Sequence, residues 1–293
     1  MRLKDIQNSF HQALDAMYSS EEVDHFFYML LAFYYKVSRL QLALNTEMEV
    51  EDFKPIGEAL ELLKQQQPIQ YIMGETEFYS LTFKVNPHVL IPRPETEGLV
   101  EWVIEEAEQD KEIKILDIGT GSGCIAISLA KNLPNAKVYA LDISQEALSL
   151  AKKNATLNTV DVVFVEADIL KQEMDGFVLP CTSHDNKEKI KFDIIVSNPP
   201  YVREQEKQLM KANVLENEPH LALFVKDERP LVFYNAIAHF ATYNLEKGGR
   251  LFFEINEYLG DDMIRLLESK AFEKTVLKQD IFKKDRMIKA CLG

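Results

Sequence analysis

Cysteine is scarce in this chain. Three residues in 293 (Cys124, Cys181 and Cys291) lie far apart, are odd in number and lack metal-ligand spacing. That excludes a disulfide framework and reads as free thiols in a reducing compartment, the cytoplasm. Basic charge is also in deficit. Lys and Arg total 33 against 47 Asp and Glu, a formal net charge of −14 with a pI near 5.0. Tight, sequence-independent binding to nucleic acid relies on basic patches and is not expected. A basic protein partner stays open. Long apolar runs are missing as well. The stretch Phe26 to Tyr35 is too short to span a bilayer and is bounded by Asp24-His25 and Lys36, so it reads as a buried helix. The opening MRLKDIQNSFHQ lacks a signal-peptide layout, and no membrane role is expected. The six histidines (His11, His25, His88, His184, His220, His239) are scattered, so no metal site is expected.

What is present is ordinary globular composition, 46% hydrophobic and 27% charged. Residues 1–70 read as helical. Ile6, Phe10, Ala13, Leu14 and Met17 recur at helical spacing, and Ser20 with Glu21 and Glu22 makes a helix start. Leu40 to Leu44 and Pro55 to Leu63 give two more short helices. Residues 71–94 change character: Phe78 to Val85 alternates, Asn86-Pro87 marks a turn, and a linking β-hairpin is expected. From 95 to 293 a helix at 95–108 precedes alternating strands and helices. Strands are expected at 113–118, 137–142, 162–167, 192–197 and 250–255, and helices at 122–132, 144–157 and 230–246. This is the signature of an α/β fold with a doubly wound, mostly parallel sheet. A helix at 260–270 and strand-like runs at 275–282 and 286–291 complete it, the last two as an antiparallel edge pair. Lys171 to Lys191 reads as an exposed insertion. Val202 to Glu228 reads either as a lid or as a surface connection.

Two stretches carry chemistry. In the first, Asp117-Ile118-Gly119-Thr120-Gly121-Ser122-Gly123 ends a strand and opens a helix. Its glycines allow a tight turn and close approach of a ligand. Asp142 ends the next strand, where an acidic group can bind ribose hydroxyls. The spacing is not that of a dinucleotide fingerprint, and Asp117 would repel a diphosphate. The same carboxylate could attract a cation, which fits S-adenosylmethionine. Asp168, ending a third strand, either flanks the adenine or caps the loop.

The second is FDIIVSNPPY, Phe192 to Tyr201. A short apolar strand runs into Asn198-Pro199-Pro200-Tyr201, at the position where active sites occur in open α/β sheets. The two prolines stiffen the turn and remove two N–H donors. What they leave is acceptor-rich, and suits a planar group that brings its own N–H donors. The Asn198 side-chain oxygen and the Pro199 carbonyl can each accept one amide hydrogen; Tyr201 either packs on the flat amide or on the sheet.

With Asp142 and Asn198 to Tyr201, the glycine loop resembles class I S-adenosylmethionine-dependent methyltransferases that act on amino groups. Within them the chain most resembles the peptide chain release factor glutamine methyltransferases. The similarity rests on Gln67 to Gly74, Glu77-Phe78-Tyr79, Leu90 to Glu97 (L-I-P-R-P-E-T-E), Glu218-Pro219 and Asp285-Arg286. Two stretches depart from the family pattern: 171–191 is longer, and Leu221 to Arg229 lacks the small, glycine-containing sequence. The resemblance implies a seven-stranded Rossmann-like domain behind a helical substrate-recognition domain. It implies methyl transfer to the Gln of Gly-Gly-Gln in class 1 release factors, with S-adenosylhomocysteine as the other product; a monomer is expected. By the same resemblance, Gly119 to Gly123, Asp142, Ile169 and Asn198 line the cofactor, and Asn198 to Tyr201 hold the glutamine. Arg93 and Glu97 either shape the cofactor pocket or form salt bridges at a junction. The competing readings are an adenine amino-methyltransferase acting on nucleic acid and a non-catalytic cofactor-binding module.

Overall fold

The computed structural model describes residues 1–108, 110–171, 190–280 and 282–293. The expected insertion at 171–191 therefore lies almost wholly outside the described residues. The chain divides into two compact units. One comprises Met1–Glu75 with Lys211–Asn217, and the other Thr76–Met210 with Glu218–Gly293.

The first unit is helical. Helices α1 (Leu3–Leu14), α2 (Ser20–Tyr35), α3 (Arg39–Leu44), α4 (Lys54–Lys64) and α5 (Ile69–Met73) surround a core that includes Phe10, Phe27, Leu30, Ile56 and Leu63. The cap of α2 is Ser19, one residue before the expected start: its side chain accepts from the Glu22 N–H, satisfying an otherwise orphaned donor. Tyr18 donates its hydroxyl to the Leu63 carbonyl, tying the end of α4 to the α1–α2 turn.

The second unit begins in β1 (Glu75–Phe78), which forms a hairpin with β2 (Leu81–Lys84). Helix α6 (Pro94–Glu106) follows, with Pro at its start and Glu95 and Glu97 in its first turn. Then come β3 (Ile113–Ile118), α7 (Cys124–Asn132), β4 (Ala136–Asp142), α8 (Gln145–Asn158), β5 (Val162–Glu166), β6 (Phe192–Ser197) and the two-residue β7 (Val202–Arg203). After a 3-10 turn (Glu204–Leu209) the chain forms α9 (Ala212–Asn217), which belongs to the first unit, and then α10 (His220–Leu223) and β8 (Phe224–Val225), which pairs with β7. Helix α11 (Val232–Asn244), β9 (Leu245–Glu254), α12 (Gly260–Glu268), β10 (Phe272–Gln279) and β11 (Asp285–Leu292) close the chain.

The seven-stranded sheet has the order β10-β11-β9-β6-β3-β4-β5, with β11 antiparallel to both of its neighbours and the remaining pairs parallel. Its central strands β3, β4 and β6 are buried on both faces, as a covered parallel sheet requires, while the edge strands β5 and β10 are largely open. Leu116, Ile118, Ile195, Leu251 and Phe253 point into the core beneath α11 and α12. Ile113, Ile115, Ile194, Val196 and Phe252 point into the core beneath α6 and α7. Each fully buried side chain of this kind contributes about 1.5–3 kcal/mol.

Strand order reverses between β3 and β6. From β3 the chain winds outward through β4 and β5; from β6 it winds the other way through β9. A crevice at the carboxyl ends of the strands opens at such a switch point.

Candidate active site

The register of the two central strands brings the two motifs together. Ile118 pairs with Ser197, and the Ser197 hydroxyl donates to the Ile118 carbonyl at 2.6 Å. Gly119 and Asn198, the next residue on each strand, therefore leave the sheet side by side. A cavity of about 450 Å³ sits there, lined by Gly119 to Ser122, Asp142, Asp168, Ile169 and Asn198 to Pro200. The wall also takes in parts of the 87–96 segment, Pro219, Leu221 and Ala222, and Phe233 and Ile237 on α11.

The glycines divide by role. Gly119 and Gly121 have φ of +76° and +55°, and a Cβ on either would meet nothing within 4 Å. Their missing side chains leave open space for a ligand to approach the backbone. Gly123 also has positive φ, +83°, but its Cβ would stand 2.8 Å from Ile127 Cδ1 and 3.1 Å from Ala151 Cβ. It does not line the cavity; it lets α7 pack on α8.

The acidic residues divide similarly. Asp142 faces the cavity, with Oδ2 accepting from Gly121 N at 2.8 Å and Oδ1 from Ser144 N at 2.9 Å. Burial pushes its carboxyl above the usual range. Asp168 both caps and lines: it accepts from Leu170 N and pairs with Lys171 while bordering the cavity. Asp117 does not line the cavity. It is buried beneath the loop, where Oδ2 accepts from the Thr120 hydroxyl at 2.6 Å and from Ala126 N at 3.3 Å. Its Oδ1 has no hydrogen-bond partner among the described residues, and burial pushes the carboxyl up to about 7.

Arg93 lines the cavity and is paired with Glu218 at 2.5 Å; the Glu218 side chain is only 1% exposed and also accepts from Ile91 N. Glu97, by contrast, accepts from Tyr79 N and braces the β1–β2 hairpin. The donor set thus offers two carboxylates and one guanidinium that is already neutralised. It disfavours a phosphate and suits a nucleoside that carries positive charge.

The Asn198 to Tyr201 turn is held from behind. Tyr201 does not line the cavity; its hydroxyl donates to Glu254 Oε1 at 3.0 Å, and its carbonyl accepts from Asn256 Nδ2. The reading in which the ring packs on the sheet is the one the structure shows. Thr96, in the first turn of α6, donates to Glu254 Oε2 at 2.6 Å and accepts from Asn198 Nδ2 at 3.3 Å. Glu254 is 2% exposed at the end of β9, beside β6. Burial pushes its carboxyl up, against the pull of the two hydroxyl donors and of Arg286. Sequence reading missed Thr96 and Glu254. The signal for Glu254 was a lone carboxylate at the end of the apolar run Leu251-Phe252-Phe253, the same placement that marked Asp142.

Residues 99–223 match the methyltransferase small domain family. The chain is 50% identical to a release factor glutamine methyltransferase of Flavobacterium psychrophilum, over 99% of each chain. A protein of the same description from Bacteroides thetaiotaomicron is 43% identical, over 95% of this chain and 96% of that one. Among solved structures, a T. thermophilus 16S rRNA N2 G1207 methyltransferase, in complex with AdoMet and guanosine, superposes with a TM-score of 0.52. At 20% identity, over 75% of this chain and 50% of that one, it shares the fold alone. With near-complete alignment at half identity, and with the loop and turn of the family meeting at one cavity, the chain belongs to the release factor glutamine methyltransferase family.

Proposed function

We propose that this protein transfers a methyl group from S-adenosylmethionine to the side-chain amide nitrogen of the Gln in the Gly-Gly-Gln motif of class 1 peptide chain release factors. The observation that carries the reading is the single cavity shared by the glycine loop and Asn198 to Pro200. S-adenosylmethionine, when bound, supplies a methyl group from its sulfonium sulfur; the sulfur departs as the neutral thioether S-adenosylhomocysteine, and the amide nitrogen, on gaining the methyl group, releases one proton to solvent.

In this reading the nucleoside rests on the backbone of Gly119 to Ser122, Asp142 accepts from the ribose hydroxyls, and Asp168 and Ile169 flank the base; what supports it is that all of them line one cavity. Asp117 acts from beneath the loop, through its field on the cationic part of the ligand. An amide nitrogen is a weak nucleophile because its lone pair is delocalised into the carbonyl. The chain's task is therefore to orient the nitrogen and to stabilise positive charge growing on it. The Asn198 side-chain oxygen and the Pro199 carbonyl accept the two amide hydrogens, which sets the plane of the NH2 group. The imino nitrogens of Pro199 and Pro200 add no competing donors.

The test is transfer of isotopic label from S-adenosylmethionine to purified release factor, with the modified residue located by mass spectrometry. Label is expected on the Gln of Gly-Gly-Gln. Asn198→Ala should lower kcat by about a hundredfold or more while cofactor affinity changes little. Label on adenine of RNA or DNA, and none on the factor, would overturn the substrate assignment.

A further inference from the structure

We propose that Thr96 and Glu254 are positioning residues that set which end of the Asn198 amide faces the acceptor substrate. The proposal rests on the site reading above and deepens it. Asn198 can serve an incoming NH2 group only if its oxygen, not its own NH2, points into the cavity. The two orientations of an amide have nearly the same shape, so packing alone does not choose between them. Something polar has to.

The hydrogen-bond chemistry supplies the choice. Glu254 accepts at both oxygens, from the Tyr201 hydroxyl at 3.0 Å and from the Thr96 hydroxyl at 2.6 Å. Thr96 has one hydroxyl proton, and it goes to the carboxylate. The Thr96 oxygen is then left as an acceptor only. The end of Asn198 that meets it, at 3.3 Å, is Nδ2. The opposite amide end, Oδ1, is thereby kept free for the substrate. A carboxylate buried to 2% exposure thus dictates, through one hydroxyl, the polarity of a side chain with which it shares no hydrogen bond among the described residues. The same carboxylate also anchors Tyr201, so both ends of the Asn198-Pro199-Pro200-Tyr201 turn answer to it. The three parts come from three elements: the end of β6, the first turn of α6 and the end of β9.

The test is a double-mutant cycle on the full-length protein, with labelled S-adenosylmethionine and purified release factor. Thr96→Val keeps the side-chain shape and removes the hydroxyl. It should lower kcat by about tenfold or more while the KM for S-adenosylmethionine stays within about twofold. Thr96→Ser restores the hydroxyl and should recover most of the lost rate. In an Asn198→Ala background, Thr96→Val should produce no further loss, because no amide is left to orient. Glu254→Gln exchanges an acceptor-only group for one that also donates, and should give the same non-additive loss; it carries the cycle if Thr96→Val does not fold. Equal losses from Thr96→Val with and without Asn198, or a wild-type rate for both Thr96→Val and Glu254→Gln, would overturn the proposal. A wild-type rate for Asn198→Ala would instead overturn the site reading on which it rests.

Discussion

A single buried carboxylate shows how the site handles charge. Asp117 is fully enclosed, and its carboxyl is pushed up to about 7 by loss of hydration, against the bonds from Thr120 and Ala126. The ordinary value for an aspartate, taken for the unfolded chain, is near 3.8. The folded state therefore holds the proton more tightly, and this group's contribution to stability falls as pH rises from about 4 to about 7. The full penalty, on the order of 4 kcal/mol at most, is present above that range. Asp117→Asn should flatten this part of the stability profile, as read by thermal unfolding across pH. A cationic ligand above the loop favours the ionised form, so cofactor affinity should rise with pH through about 7 in the wild type. Calorimetric titration of Asp117→Asn should show weaker binding with that dependence removed. An unchanged affinity and pH profile would mean that Asp117 only supports the loop.

The glycine loop, one element, contains glycines with opposite duties. Gly121→Ala meets open space, so its cost to folding is limited to the left-handed backbone, about 1–2 kcal/mol. Its methyl group enters the ligand's space, and cofactor affinity should fall about tenfold or more. Gly123→Ala adds a clash with Ile127 and Ala151 to the same backbone strain, for a loss of about 2–4 kcal/mol. Thermal unfolding paired with calorimetric binding separates the two. The expected pattern is a binding defect in the first variant and a stability defect in the second. The reverse pattern would mean that the ligand does not rest on this loop.

For the whole molecule, the chain leaves the catalytic unit at Met210, spends seven residues in the helical unit, and returns at Glu218. There Lys211 pairs with Glu22 at 3.3 Å, and Asn217 donates to the Gln66 carbonyl at 3.2 Å. The helical unit is thus built from two separated stretches of sequence. Every residue lining the cavity belongs to the other unit. We propose that the helical unit recognises the release factor body, since a Gln on an exposed loop offers little to recognise. Deleting residues 1–75 should then raise KM for the factor by tenfold or more on the order of lost interface contacts, with cofactor affinity near wild type. Equal loss of both would mean that the helices are needed for the catalytic unit to fold.

Much of this was legible in the chain itself because the signals are local. Apolar runs ending in Asp117, Asp142 and Ser197 mark strands and the side of the sheet where ligands bind. Glycines at 119 and 121 and prolines at 199 and 200 restrict the backbone whatever surrounds them. Helix and strand order followed from periodicity, and the expected elements differ from those observed mainly at their ends, as in β9, which starts at Leu245 rather than 250. The parts that were not legible depend on residues brought together from afar. Glu254 and Thr96 are 158 positions apart, and nothing local says that they share a proton. Nor does the chain say that Tyr201 turns its hydroxyl away from the cavity, that Gly123 serves packing while Gly121 serves the ligand, or that residues 211–217 join the helical unit. Sequence by itself determined which groups are available and how stiffly each short segment holds them. Only the tertiary structure decided which proton each of them gives and to whom, because burial and hydrogen-bond pairing are properties of neighbours that the order of residues does not contain.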